Sequence, residues 1–244
     1  MQHFAWHDLR LTLPEDWELT LFGKDPLFGQ LAFSTLEGEM AHLEWSRGRE
    51  RQSRPDWQRQ EHQATRTCGS PARRWTWTFS EPAAPQADAV LNSFRLASDN
   101  AYTLAGIRAR VPEGFLPDKV TVFPANVMLS LSTPKGDRLV YRRWGLPHYV
   151  LQGTTPAEFL EKLMDKEGLY VEKSESTRFR GHDTVALTLS TWGLTPWARL
   201  RNQRAAGRAW IWLEPDTKRL CTFEQLAASP ERLPPPEACF EKER

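Results

Sequence analysis

The sequence repeats itself at an offset of 98 residues, and that limits the folds open to it. LTLPEDW at residues 11–17 returns as ARVPEGF at residues 109–115. With no gap, Arg10 meets Arg108, Pro14 meets Pro112 and Glu15 meets Glu113. Pro26 meets Pro124, Leu31 meets Leu129, Ser34 and Thr35 meet Ser132 and Thr133, and Gly38 meets Gly136. These are eight identities in the 29 positions from 10 to 38. Between them lie like-for-like exchanges, Leu13 with Val111, Trp17 with Phe115 and Phe33 with Leu131, and Glu39 with Asp137 follows. Solenoid repeats run about 20–50 residues, so a period near 100 is the size of a domain and reads as a tandem duplication.

The repeated stretches have a physical reading. Leu9, Leu11 and Leu13 alternate with polar residues, which is the period of a half-buried strand. Pro14 ends the ladder because proline has no N–H to donate. STLEGE lies between apolar runs at 31–33 and 41–45, and STPKGD between runs at 129–131 and 139–141. Each reads as a hairpin in which glycine supplies the permissive turn position. A helix is expected next. In the second copy Thr155-Pro-Ala-Glu158 is a capping box with Phe159, Leu160, Leu163 and Met164 behind it, and Gly168 placed to end the helix. In the first copy Ser53-Arg-Pro55-Asp-Trp57 opens the matching helix and Gly69 closes it, although only Trp57 and Ala64 would anchor it. Further strands are expected at 74–79 and 184–190, a closing amphipathic helix at 86–96, and a hairpin from 209–213 to 219–226 around Pro215 and Asp216.

The expected architecture is therefore α+β: two tandem copies of a small antiparallel sheet flanked by helices. Residues 1–98 form the first copy and 99–228 the second. The second copy carries an inserted loop at 191–208. A Pro-rich, charged tail at 229–244 is expected to be extended or disordered. The chain has 244 residues, enough for a sizeable core without metals or disulfides. Its three cysteines, Cys68, Cys221 and Cys239, have no CxxC spacing, which argues against a disulfide framework or a Cys-rich zinc site. The first residues have no basic segment followed by an apolar one, and no run of about 18 apolar residues occurs. A cytoplasmic protein without membrane insertion is the expectation.

A strand running into Leu13-Pro14-Glu15-Asp16-Trp17, a long hairpin, a helix, more strands and the closing Leu91-Asn92-Ser93-Phe94 resemble the PsbP-like fold. Val111-Pro112-Glu113-Gly114-Phe115 repeats the first of these motifs. That group includes a photosystem II extrinsic subunit, a nuclear transport factor acting on the Ran GTPase and bacterial chaperones of secreted effectors. The resemblance implies an α-β-α sandwich and mostly non-enzymatic, protein-binding roles. It carries over no functional residue, because its motifs are structural.

The usual catalytic signatures are missing: no GxxxxGK[ST], no GxGxxG after a strand, no GxSxG and no HExxH. No catalytic residue, metal ligand or cofactor is assigned. His3 and His7 are four apart but stand on no expected helix. His182 has Asp183 beside it, yet neighbours on a strand point to opposite faces. Cys68 sits among basic residues that would lower a thiol pKa, with no base to pair it.

Tryptophan is over-used, with 11 Trp against 4 Tyr. Trp75/Trp77 and Trp210/Trp212 each place two indoles on one face of a strand, either as core or as an exposed aromatic platform. The richest stretch runs from Trp197 to Trp212, with Arg199, Arg201, Arg204 and Arg208 between Trp197 and the Trp210/Trp212 pair. Arg and Trp together are the residues of protein-interface hot spots. They are also the footprint of single-stranded nucleic-acid binding, although a net charge of +1 argues for a protein partner first. The reading is a non-catalytic binding or assembly protein acting through Trp197, Arg199, Arg201, Arg204, Arg208, Trp210 and Trp212. The alternatives are a nucleic-acid-binding module using the same loop, and a small-molecule enzyme of unknown class.

Overall fold

A computed structural model describes residues 1–23, 25–47, 54–68, 72–98, 100–123, 126–192, 204–214 and 217–240. The chain divides into two compact units, Met1–Arg108 and Ala109–Arg244. Among the described residues 59% lie in strands and 17% in helices, in four sheets. The expected α+β sandwich flanked by helices is therefore wrong: this is a mostly antiparallel β protein with few helices.

In the first unit, Gln2–Trp6 (β1), Leu9–Leu13 (β2), Glu18–Phe22 (β3), Gly29–Thr35 (β4) and Gly38–Arg47 (β5) follow one another. Next come Arg54–Gln60 (β6), Gln63–Cys68 (β7) and Arg73–Phe79 (β8), then helix Ala84–Ser93 (α1) and the short strand Arg95–Leu96 (β9). Asn100–Leu104 (β10) ends the unit, and the division falls within Ile107–Val111 (β11). The main sheet has the order β3-β4-β5-β8-β7-β6, and a smaller sheet has the order β1-β2-β9.

The helix expected from Ser53 to Gly69 is the main local correction. Its described part is the antiparallel pair β6–β7, with Gln60 opposite Gln63 and Glu61 in the left-handed turn between them. The physical reason is the shortage of apolar residues. A helix there would have no stripe to bury, whereas as a strand it needs only Ala64 to face Trp77 and can set Thr65 opposite Thr76. Ser53 and Gly69 themselves lie outside the described residues. The closing helix is present as α1, with Val90 and Leu91 buried.

The core of this unit is aromatic. Trp75 and Trp77 project from one face of β8, both buried. Trp77 stacks on Phe33 at 5.9 Å, and Trp75 lies 5.8 Å from Trp45 and 5.2 Å from Phe94. The β1–β2 turn is pinned into this core. His7 is buried with φ 54°, and its Nδ1 lies 2.9 Å from the Tyr102 hydroxyl of β10. Next to it, Asp8 accepts from the buried Arg73, which also donates to the Pro26 carbonyl at 3.0 Å. Burial holds the His7 imidazole well below its usual range, at about 4.

The second unit begins in β11 and continues with Leu116–Phe123 (β12), Asn126–Ser132 (β13) and Arg138–Trp144 (β14). Helices Pro147–Leu151 (α2) and Pro156–Lys166 (α3) lead to Tyr170–Phe179 (β15), His182–Trp192 (β16), Arg204–Glu214 (β17) and Arg219–Ala227 (β18). All but β11 join one sheet of order β12-β13-β14-β18-β17-β16-β15. The 98-residue offset recurs in the strand bounds. Gln2–Trp6 and Leu9–Leu13 fall on Asn100–Leu104 and Ile107–Val111, and Gly38 and Gly136 both hold positive φ in the hairpin turns.

The predicted capping box is formed: the Thr155 hydroxyl accepts from the Glu158 amide and the Glu158 carboxylate accepts from the Thr155 amide. α3 lays Leu160 and Met164 against Leu187, Leu189, Ala209, Ile211 and Leu226 on one face of the sheet. Gly168, at φ 73°, turns the chain out of the helix. The opposite face is closed by the tail. Residues Pro230–Arg232 and Pro236–Cys239 form short helical turns, and the Phe240 ring packs on Tyr141, Phe223, Phe179 and Trp212. The Tyr141 hydroxyl donates to the Cys239 carbonyl at 2.8 Å. The stretch after Ser229, expected to be extended or disordered, is folded as far as Phe240 because it carries that aromatic anchor.

Beneath α3 lies a buried ion network. Arg142 on β14 donates to Glu224 on β18 and to Glu167 at the end of α3, and Arg138 donates to Glu167 at 2.8 Å. Glu224 is 0% exposed. Removing one partner strands a buried charge, at a cost of about 3–5 kcal/mol, whereas an apolar replacement of both is far milder. In urea denaturation Glu224→Leu is expected to lose about 3 kcal/mol or more, and Arg142→Met/Glu224→Leu is expected to lose less than that single change. His7 gives a second expectation. Its folded pKa of about 4 lies below its unfolded value of about 6.5, so the unfolded chain binds the proton first. Its contribution is complete above pH 6.5 and is lost as pH falls toward 4, by about 3 kcal/mol in all at about 1.4 kcal/mol per unit. His7→Asn, which suits the left-handed turn, is expected to flatten that part of the stability–pH curve relative to wild type.

Candidate functional site

The described part of the predicted Trp–Arg stretch splits between core and surface. β17 alternates, so Arg204, Arg208, Trp210 and Trp212 all project from one face of the sheet. Trp210 stacks between Phe179 at 5.6 Å and Phe223 at 5.5 Å, and Trp212 meets Phe179 edge-on. They are 7% and 4% exposed. Both are core residues, and their proposed place on a binding surface is withdrawn. Arg204 and Arg208 are exposed, on a strand rather than on an inserted loop. Trp197, Arg199 and Arg201 lie outside the described residues.

The same face carries a residue that the sequence reading passed over. Trp192, the last residue of β16, stands opposite Arg204 in the β16–β17 ladder and is 47% exposed. The Arg204 guanidinium lies over its ring, 5.6 Å from the centroid. Arg208 lies two positions further along the same face, past Ala206 and opposite Thr188. The exposed Tyr170 begins the neighbouring strand opposite Ser190. This corner has one large indole, two guanidinium groups and a phenol, none of them buried. Its sequence signal was the spacing itself: Trp192 and Arg204 flank the stretch from residue 193 to residue 203, so the strands on either side had to bring them together.

The first unit holds an open groove of about 500 Å³, lined by Phe22, Phe28, Trp45, Glu44 and Arg74 among others. Trp45 is buried on the core face of the sheet, and its indole N–H donates to the Asp25 carbonyl at 3.1 Å. The Asp25 carboxylate in turn accepts from the Leu27 amide at 2.7 Å, which fixes the turn between β3 and β4.

The weaker chemical candidates stay apart. Cys68 is half-buried, and burial pushes its thiol up despite Arg66 and Arg73 nearby, the reverse of an activated nucleophile. Cys221 and Cys239 are buried, and their thiols are pushed up to about 12 and about 11 by burial. Asp183 stands opposite Arg178 in the β15–β16 ladder, 3.7 Å from its guanidinium, and its neighbour His182 stands opposite Phe179. Among the described residues no group of three or more His, Cys, Asp or Glu could hold a metal ion. No helix of the described residues is long and apolar enough to cross a membrane.

No family model and no curated protein matches the chain. Among solved structures it is similar to PA94 of Pseudomonas aeruginosa, a protein of unknown function described as a putative regulator. That match has 16% identity and a TM-score of 0.28, and covers 55% of this chain and 84% of the other. It is also similar to the T6SS immunity protein TplEi of Pseudomonas aeruginosa. The apo form has 10% identity and a TM-score of 0.27, over 96% of this chain and 89% of the other. The complex with "L" peptide has 11% identity and a TM-score of 0.28, over 99% and 91%. At these scores the likenesses assign neither family nor activity.

The division between core and surface indoles is directly measurable. Trp192→Phe is expected to lower the iodide-quenchable fraction of the fluorescence, whereas Trp210→Phe leaves that fraction unreduced.

Proposed function

We propose that this chain is a non-catalytic binding protein that holds a protein partner through the Trp192–Arg204–Arg208 corner of its second unit. The observation that carries the reading is the exposed indole of Trp192 under the guanidinium of Arg204. A large aromatic residue left half in water on a chain that buries its other β16–β17 indoles is poorly explained by stability. As part of an interface it has a clear role, because Trp and Arg supply most of the energy of protein–protein hot spots. Residues 193–203, which contain Trp197, Arg199 and Arg201, join these two strands in the chain and lie outside the described residues.

Affinity purification of the tagged chain from its native cells tests this, with and without nuclease, beside a Trp192→Ala/Arg204→Ala variant. Both residues are exposed, so the variant keeps the wild-type melting temperature. The expected result is one protein recovered in stoichiometric amount, indifferent to nuclease and reduced about tenfold or more in the variant. Equal recovery by the variant overturns the reading. A partner lost on nuclease treatment replaces it with nucleic-acid binding, for which the same Arg and Trp side chains would serve.

A further inference from the structure

We propose that the chain forms a twofold dimer by pairing β12 with β12 of a second copy, in the register that sets Thr121 opposite its own counterpart. The joint is separate from the Trp192 corner, because β12 and β15 close opposite ends of the seven-stranded order. A terminal strand presents a row of unpaired N–H and C=O groups, and such a row takes another extended backbone. Free edges are normally blunted by bulges and charges, and in the two large sheets the other three edges follow that rule. β15 shifts register between Val171 and Lys173 and then carries Lys173, Glu175 and Arg178. β6 shifts between Arg54 and Gln58 and then carries Gln58, Arg59 and Gln60. β3 is broken between Leu19 and Leu21, with two pairs on either side.

β12 shifts only between Pro117 and Lys119, and Lys119 to Phe123 then pair one to one with Ser130 to Asn126. This regular run reads Lys-Val-Thr-Val-Phe, β-branched or aromatic after its first residue. Val122 is 41% exposed and Phe123 63%. Two apolar side chains are thus left in water beside an open ladder, the arrangement that marks an interaction edge. The run is complementary to itself, which selects a second copy as the occupant. A twofold axis through an antiparallel joint sets one residue opposite its own copy. With Thr121 there, Val120 of each chain meets Val122 of the other, and Lys119 meets Phe123. Opposed threonines and opposed β-branched side chains are favourable cross-strand pairs. Lys119 is exposed and forms no ion pair among the described residues, so its ammonium can lie over the second copy's phenyl ring. With the axis at Val120, Val122 would face Asp118; at Val122, Val120 would fall beyond the end of β12. No like charges oppose each other in the Thr121 register, and a net charge of +1 leaves two copies little mutual repulsion.

The faces agree as well. Partners across a ladder share a face, so Val120 extends the core row of Phe223, Tyr141 and Leu129. The second copy's Val122 takes the next place in that row. A joint of five residues a side is small beside the roughly 20–30 of a standard interface, so the dimer forms reversibly as concentration rises. Its closed symmetry stops at two copies. Each copy keeps its Trp192–Arg204 pair toward the other end of its sheet, so the dimer offers two such corners to a partner that repeats.

Sedimentation velocity of the full chain, from about 1 μM to about 300 μM, spans the range where small interfaces associate. A shift from monomer to dimer is expected, with nothing larger. Val122→Lys sets an ammonium opposite Val120 and is expected to weaken the dimer about tenfold or more. Phe123 reads the register: Phe123→Lys opposes Lys119 and dissociates the dimer, whereas Phe123→Glu offers Lys119 a carboxylate and retains it. Both positions are exposed, and unchanged melting temperatures confirm the fold. Opposed Cα atoms in an antiparallel pair lie about 4.5–5.5 Å apart, within disulfide range. Thr121→Cys is therefore expected to cross-link two chains under mild oxidation. Lys119→Cys, opposite Phe123, is expected to stay at the wild-type background set by Cys68, Cys221 and Cys239. A monomer throughout the range overturns the proposal. So does growth beyond two copies, or a dimer that both lysine variants leave intact and Thr121→Cys does not cross-link.

Discussion

Two indoles spaced two residues apart decide which face of each sheet is interior. On β8 the pair is Trp75 and Trp77, and on β17 it is Trp210 and Trp212; all four are buried. A slip of one residue in either ladder would turn both rings to the other face, so the pairs lock register as well as orientation. Phe33, Trp45 and Phe94 then gather on the first pair, and Phe179, Phe223 and Phe240 on the second. The other face of each sheet is what remains for different uses, and the two units use it differently.

In the second unit that face is dry. α3 covers it with Leu160 and Met164, and the helix traps Arg142 and Glu224 beneath it as a neutralised pair. In the first unit the corresponding face keeps Gln30, Glu44, Ser46 and Arg74 in contact with water. The polar residues and the uncovered surface explain each other. A sheet face that keeps Gln30, Glu44, Ser46 and Arg74 exposed offers a helix little apolar area, and a segment with only Trp57 and Ala64 offers little in return. The chain therefore extends its sheet with β6 and β7 where the second unit places helices.

That trade explains what the sequence disclosed and what it hid. Strands that alternate cleanly were legible: Leu9–Leu13, the hairpins around Gly38 and Gly136, and the strand holding Trp75 and Trp77. So was α3, whose capping box and apolar stripe agree. The helix-flanked α+β architecture was an error of extrapolation from α3 to the first copy, where the same place in the repeat is filled by threonines and glutamines without a stripe. The tail was misread because composition weighs four prolines and many charges, while one buried ring, Phe240, settles its position. In the candidate sites, Trp210 and Trp212 show the limit of residue type as a signal: an indole with phenyl rings available on neighbouring strands is buried by them. Trp192 was missed for the opposite reason, because nothing apolar lies across the ladder from it, only Arg204.

Exposure, and not the number of tryptophans, is thus the informative quantity. Most of the described indoles serve packing, and their excess reflects two cores that use large rings to fill narrow sheet faces. Trp192 breaks that economy, as do Glu44 and Arg74, opposite charges left in water on adjacent strands. Stability alone would bury the indole or pair the charges. What the two places share is that neither can be read from residue type alone: Trp192 lies opposite Arg204 and Glu44 opposite Thr76, and it is the ladder partner that leaves each side chain in water.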